Sequence, residues 1–259
     1  MGELIPAATI ILLRDDPAFE VLMVERHADI AFAGGALVFP GGRIDAGDHL
    51  SDWRDYCDGL EEFPPEQHAP RVAALREAFE ETGILIARRD GELLSADEAR
   101  ALAPWRQQIE NDDALFLAMV RQENLRLDMR GLQPFTRWRP PKGVGHRRYD
   151  TWFFAARAPA EQIASPDGGE ATEIVWTPPA DALKARDRGE RKMIFPTSRN
   201  VELLNVSKTA DDVLERSLKR RPHIVEPAIV ERDGQMYLTI PDDLGYPITE
   251  EALTSAMRS

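Results

Sequence analysis

Arg76-Glu77-Ala78-Phe79-Glu80-Glu81-Thr82-Gly83 is the stretch from which the rest of this 259-residue chain is best read. Upstream of and within it, Val72, Leu75 and Phe79 recur at spacings of three and four, which predicts a helix from about Gln67 to Thr82 with one apolar face. Gly83 stands where a left-handed C-cap closes such a helix. On that helix Glu77, Glu80 and Glu81 lie at i, i+3 and i+4 and share one face, and Arg76, four residues before Glu80, can pair with it. Three carboxylates held that close raise one another's pKa, and a cation that prefers oxygen ligands, Mg2+ or Mn2+, relieves the repulsion. A charged face turned to solvent has the same spacing, so the helix by itself leaves both readings open.

Working outward, Ala8 to Leu13 is an apolar run of buried-strand length. Asp15-Asp16-Pro17 signals a turn into a second strand, Val21-Leu-Met-Val24, so the two predict a hairpin. A third apolar run, Ala36 to Phe39, stops at Pro40-Gly41-Gly42, and Ile84 to Ile86 predicts a strand after the helix. The middle is more helical: Ser95 with Glu98 forms a capping-box pattern, and Asn111 or Asp112 can cap a helix through Leu115 to Val120. Phe135–Trp138, Tyr149–Ala155 and Ile174–Trp176 predict strands, and Pro178-Pro179 and Pro196 open helices. The last fifty residues differ in composition, with a charged helix from about Thr209 to Lys219 and two apolar runs split by Asp233-Gly234, a hairpin signal. Strands alternating with helices predict a mixed α/β chain layered around one core.

Charge narrows the function classes. The chain carries 45 Asp+Glu against 32 Lys+Arg, a formal charge of −13. That balance speaks against a nucleic-acid groove, which needs clustered cations, but not against a small phosphorylated partner reached through a metal. Hydrophobic residues make up 43% of the chain, enough for a sizeable core. No run of 18 apolar residues exists, so no membrane span is expected. The single cysteine, Cys57, excludes an intramolecular disulfide and fits a cytoplasmic protein.

The helix and the upstream stretch Phe39-Pro-Gly-Gly-Arg-Ile-Asp-Ala-Gly-Asp48 together resemble the two halves of the nudix box. Arg76, Glu77, Ala78, Glu80, Glu81, Gly83 and Ile84 fit every defined position of the second half. Gly42 opens the first half, with Asp48 where the box has Glu. Between Asp48 and Arg76 stand 27 residues where the box has seven. Such an interruption resembles the coenzyme-A-directed, peroxisomal-type branch of the nudix hydrolases and its bacterial relatives. Further likeness to that branch is carried by Ala33 to Gly42, Arg148 to Phe154 and Phe195-Pro-Thr197.

The resemblance implies a nudix-type α/β/α sandwich with a mixed sheet, a helical insertion and a small C-terminal helix-hairpin unit. Its boundaries would be a nudix domain over 1–206, with an insertion at about 49–68 and a helical segment at about 95–125, and an extension over 207–259. It implies hydrolysis of a diphosphate link in a small nucleoside diphosphate derivative with Mg2+ or Mn2+. Coenzyme A or acyl-CoA is the favoured substrate, and ADP-ribose or a dinucleotide the alternative; a non-catalytic nudix-fold nucleotide sensor is the reading from another class. Glu77, Glu80 and Glu81 would be metal ligands and catalytic carboxylates, with a carbonyl of Gly41 or Gly42 completing the metal set. The general base lies either in the box or on a later loop, where Glu170 and Glu173 are the candidates. Arg26, Arg43, Arg147 and Arg148 are candidates for substrate phosphate, because a guanidinium suits that anion. Arg26 also falls at the spacing of a coenzyme A fingerprint, of which a second arginine is replaced by Ala31. The segment 207–259 would cap the core or serve a homodimer interface.

Overall fold

A computed structural model describes residues 4–29, 33–141, 148–220 and 223–256. The central sheet is built on β1 (Leu4–Arg14), the predicted apolar run extended at both ends. With it go β2 (Glu20–Arg26), β3 (Leu37–Val38), β4 (Gly41–Arg43), β5 (Gln133–Trp138), β6 (Arg148–Arg157), β7 (Ala171–Thr177) and β8 (Ile224–Val225). The order across the sheet is β7-β2-β1-β6-β5-β8, with β3 paired to β2 and β4 to β1. The sheet is mixed: β1 runs parallel to β6 from Leu4↔Arg148 to Leu13↔Arg157, while β2 and β4 are antiparallel to β1.

β1 lacks polar alternation because both of its faces are buried. Ala8, Ile10 and Leu12 enter one core with Leu22, Val24, Trp152 and Phe154; Ile11 and Leu13 enter a second with Val21, Met23 and Phe153. The first core is closed by α1 (His68–Thr82), with Val72, Leu75 and Phe79, and by α3 (Ala103–Asn111) and α4 (Ala114–Gln122), which follow a short α2 (Ala96–Ala101). The second is closed by α5 (Pro179–Asp187), α6 (Phe195–Leu204) and α7 (Ala210–Lys219). Helices therefore cover both faces of one sheet, the α/β/α layering that the resemblance implies.

Two strand expectations come out differently. Of the run Ala36–Phe39 only Leu37–Val38 forms a ladder with β2, because Pro40 and Gly41 turn the chain away at once. Ile84–Ile86 is buried but is not a strand: the Gln162 side chain accepts from the Leu85 N–H (2.9 Å) and donates to its carbonyl (3.0 Å). A side-chain amide thus takes the place of a neighbouring strand, and pairing begins only at Ala87–Arg89.

The insertion, expected to be helical, is a series of single helical turns at Trp53–Tyr56, Leu60–Glu62 and Pro65–Gln67. Trp53 is its anchor, packed on Phe116 of α4 at 5.3 Å between ring centroids and donating from Nε1 to the Gly47 carbonyl (2.8 Å). The Gly47 N–H in turn donates to Asp113. Leu117, Met119 and Val120 are buried in the same core, so the described middle helices pack as interior. At the C-terminal end, Asp233 and Gly234 adopt positive φ (51° and 77°) and join β9 (Ala228–Arg232) to β10 (Gln235–Thr239), as two central residues of that handedness allow. Ile240 and Tyr246 beyond them are buried in the second core, and Tyr246 donates its hydroxyl to Asn200 Oδ1 (3.2 Å).

Candidate active site

The helix face that carries the glutamates is set by Val72, Leu75 and Phe79, whose burial in the first core fixes the rotation of α1. Gly83 takes φ 74°, and its N–H returns to the Phe79 carbonyl (2.9 Å), so α1 ends at Thr82 with Gly83 as its C-cap. The apolar side of α1 lies on β1, and Glu77 and Glu81 are turned toward β4. Gly42 has no side chain at the point where Glu77 arrives; a Cβ there would stand 2.5 Å from Glu77 Oε1. The Gly41 N–H donates to Glu81 Oε2 (3.2 Å). Both glycines of the first half of the box therefore serve as close approaches to carboxylates of the second.

Arg76 holds the two halves together. All five of its N–H groups have acceptors: Nε to Asp48 Oδ1 (2.9 Å), Nη2 to Asp48 Oδ2 and to the Arg43 carbonyl (2.9 Å each), and Nη1 to Glu77 Oε1 (2.9 Å) and Glu80 Oε1 (2.8 Å). Asp48, 3% exposed, also accepts from the Asp45 N–H (2.9 Å). The shorter acid at the box's Glu position thus still reaches Arg76 with both oxygens, across the whole insertion.

Electrostatics set this cluster apart from a solvated helix face. Burial pushes the Glu77 carboxyl up to about 8, with Glu80 and Asp48 adding to the rise and Arg76 opposing it. Burial likewise raises Glu80 to about 7. Glu81 is held well above the usual carboxylate range by burial and then by Glu77, against the pull of Arg26. Oε2 of Glu77 and of Glu80 has no hydrogen-bond partner among the described residues. Three hard-oxygen donors whose charges Arg76 and Arg26 offset only in part suit Mg2+ or Mn2+ in chemistry. Among the described residues, however, no three His, Cys, Asp or Glu side chains already stand in ligating arrangement. One oxygen each of Glu77 and Glu80 faces Arg76, and Glu81 faces the Gly41 N–H and Arg26.

Of the two later-loop candidates, Glu170 comes to the box. Its Oε2 accepts from Arg26 Nη2 (2.9 Å), and Nη1 of the same arginine lies 3.6 Å from Glu81 Oε1. Glu173 instead meets Arg191 (2.7 Å), which also pairs with Glu25. Arg26 is therefore engaged between two carboxylates. Arg43 is exposed at the rim, its nearest acid Asp45 at 3.5 Å. Arg148 is buried at the far end of β6, paired in register with Leu4 and donating to the Pro140 carbonyl (3.2 Å), four positions along β1 from the Ala8–Gly42 pair. Arg147 and Ala31 lie outside the described residues. Trp152 is stacked with Phe154 and capped by Arg137 at 4.5 Å, which makes it core rather than a free platform for a base.

Arg106 and Glu110, one turn apart on α3, carry no sequence signal as site residues, yet both reach this region. Arg106 donates to the Glu80 carbonyl (2.9 Å), and Glu110 is raised by burial and by Asp167 and Glu170. Only their placement by the fold reveals them.

The layering and the interrupted box define a nudix-type domain. The NUDT19 Nudix domain family matches residues 58–203, and the chain belongs to that family. It is 26% identical to the acyl-coenzyme A diphosphatase NUDT19 of Xenopus laevis, over 88% of this chain and 72% of that protein. The protein of the same name from Homo sapiens is 27% identical over 89% of this chain and 74% of its own. Among solved structures, a NUDIX hydrolase from Alicyclobacillus acidocaldarius superposes with a TM-score of 0.66 at 27% identity, covering 83% of this chain and 97% of that one.

Proposed function

We propose that this chain is a metal-dependent diphosphatase that hydrolyses the diphosphate link of coenzyme A or an acyl-CoA. The observation that carries the reading is the convergence of Glu77, Glu80 and Glu81 with the Gly41-Gly42 backbone, which pairs with the middle of β1, and with Glu170. The substrate class is supported by the names of the relatives, acyl-coenzyme A diphosphatases. Glu77, Glu80 and Glu81, with a carbonyl of Gly41 or Gly42, would hold Mg2+ or Mn2+. Such an ion supplies Lewis acidity, neutralises diphosphate charge and lowers the pKa of its bound water. Arg76 fixes the rotamers of two of these carboxylates and of Asp48. Glu170, half exposed and beside Glu81, is the candidate to accept the proton of the attacking water. Glu173, committed to Arg191, is left to structure. Arg43 at the rim is the arginine best exposed to meet substrate phosphate.

The reading includes a cytoplasmic location, a small-molecule partner and no nucleic acid. None of the described helices is long and apolar enough to cross a membrane. Residues 207–259 are proposed as an extension that caps the second core, to which Ile240 and Tyr246 contribute.

The test is product release from a panel of coenzyme A, acyl-CoA, ADP-ribose and NADH with Mg2+ or Mn2+. Wild type releases 3′-phospho-ADP from the first two, and Glu80→Gln with Glu81→Gln does not. No turnover on any member overturns the enzyme reading. A kcat/KM for ADP-ribose about tenfold above that for coenzyme A, about 1.4 kcal/mol, overturns the substrate.

A further inference from the structure

We propose that Arg26 and Arg106 are positioning residues. Together they clamp segment 165–170 onto the end of α1, so that the Glu170 carboxylate is held beside Glu81. The inference rests on the reading of the box as a hydrolytic centre.

The segment touches α1 at both of its ends. At the first end the Ser165 N–H donates to the Thr82 carbonyl (2.9 Å). Arg106 spans the same junction: Nε donates to the Glu80 carbonyl (2.9 Å), Nη2 to the Ser165 carbonyl (2.9 Å) and Nη1 to Ser165 Oγ (3.1 Å). At the other end Arg26 grips Glu170 Oε2 (2.9 Å) with one nitrogen and faces Glu81 Oε1 (3.6 Å) with the other, while the neighbouring His27 N–H donates to the Glu170 carbonyl (2.9 Å). Between the ends the chain closes on itself, because Asp167 Oδ1 accepts from the Gly169 N–H (2.8 Å) and the Ala171 N–H (3.0 Å). Each arginine thus has one hand on α1 and one on the segment, at opposite ends of it.

An arginine kept for substrate phosphate presents open N–H groups. Arg26 is 16% exposed, has Nε buried without a partner, and directs both terminal nitrogens at carboxylates. Its chemistry as found is that of a brace. Among the described residues Arg106 has no acid in hydrogen-bond contact; it binds two carbonyls and a hydroxyl, the pattern of a guanidinium that joins two pieces of backbone. The stretch it holds contains Gly168 at φ 81° and Gly169, so the backbone there has conformations to lose once the ties go.

The experiment pairs steady-state kinetics with amide hydrogen exchange on the full chain, using coenzyme A and Mn2+. Arg106→Ala and Arg26→Ala each lower kcat by about ten- to a hundredfold, the scale of an ångström misplacement, with KM within about twofold. In both, amides of 165–171 exchange faster while those of α1 do not change. Arg106→Lys, which keeps the charge but not the fork, recovers only part of kcat, and it serves if the alanine variant fails to fold. In a Glu170→Gln background neither alanine change costs more than about twofold further, since both act through Glu170. A rise in KM at unchanged kcat for Arg26→Ala makes it a substrate ligand and overturns the clamp. Full additivity with Glu170→Gln, or unaltered exchange at 165–171, does the same. If wild type turns over no substrate, the functional reading fails by itself, and the exchange data still decide whether the clamp exists.

Discussion

Gly42→Ala is the sharpest test of the assembled box. An ideal Cβ at residue 42 lies 2.5 Å from Glu77 Oε1 and 2.7 Å from both Cδ and Oε2, where ordinary contact begins at 3.4 Å. The glutamate must retreat by about 0.9 Å, and it has little room, because Oε1 is bonded to Arg76 Nη1 at 2.9 Å and the side chain is only 12% exposed. A misplacement of about 1 Å in a reacting group can cost on the order of 10²-fold in rate, about 2.7 kcal/mol of transition-state stabilisation. Overpacking removes about 1–3 kcal/mol of stability, partly offset by the entropy gained on replacing a glycine whose φ is not positive, so the net loss is about 1–2 kcal/mol. For a chain of this length that is a fall in Tm of about 3–6 °C. The assays are kcat/KM for coenzyme A with Mn2+ and thermal unfolding. Gly131→Ala is the control: its Cβ meets nothing closer than 3.7 Å, and it should change neither value. In a Glu77→Ala background the stability cost of Gly42→Ala should shrink below about 0.5 kcal/mol, because the atoms it strikes are gone. A Gly42→Ala enzyme with wild-type Tm and kcat/KM within about threefold would refute the claim that Gly42 is empty to admit Glu77.

Arg76→Lys leaves two of five acceptors without a donor in a buried site, and should cost about 2–4 kcal/mol in urea unfolding and most of the activity; a loss below about 1 kcal/mol contradicts the hub assignment. The metal-free protein should lose stability as pH rises. Glu77 and Glu80 have folded values of about 8 and about 7 against 4.5 unfolded, so the stabilising protonated forms are complete below about 4.5 and are lost up to about 8. In EDTA, Glu81→Gln should therefore gain Tm on wild type at pH 8 and much less at pH 5, and Mn2+ should raise Tm of wild type but not of the variant; equal differences at the two pH values contradict the assignment. Cys57, 1% exposed and with its thiol pushed up to about 12 by burial, should resist thiol reagents in the native state and react at the rate of unfolding; rapid labelling of folded protein contradicts its burial.

Much of this architecture was legible in local signals. The helix at His68–Thr82 follows from Val72, Leu75, Phe79 and Gly83, because the helical period and a left-handed cap are properties of neighbours in the chain. The capping box at Ser95 and Glu98 and the Asp233-Gly234 hairpin were legible for the same reason. Ile84–Ile86 misled because an apolar triplet says nothing about whether its hydrogen bonds go to a strand or, as here, to the amide of Gln162.

Residues 76–83, taken alone, determined that three glutamates share one helix face beside an arginine, and with Gly42 and Asp48 they determined the family. The tertiary structure decided what those groups meet. It carries Asp48 across the insertion to Arg76, sets Glu170 near the box and Glu173 against Arg191, places Arg26 between two carboxylates, and brings Arg106 and Glu110 in from a helix with no motif. The division has a physical cause. Helical phase and glycine's backbone freedom act over a few residues, whereas ion pairs and the burial that raises a carboxylate's pKa depend on groups far apart in the chain, which only the packing of α1 and α3 beside β4 and the middle of β1 brings together.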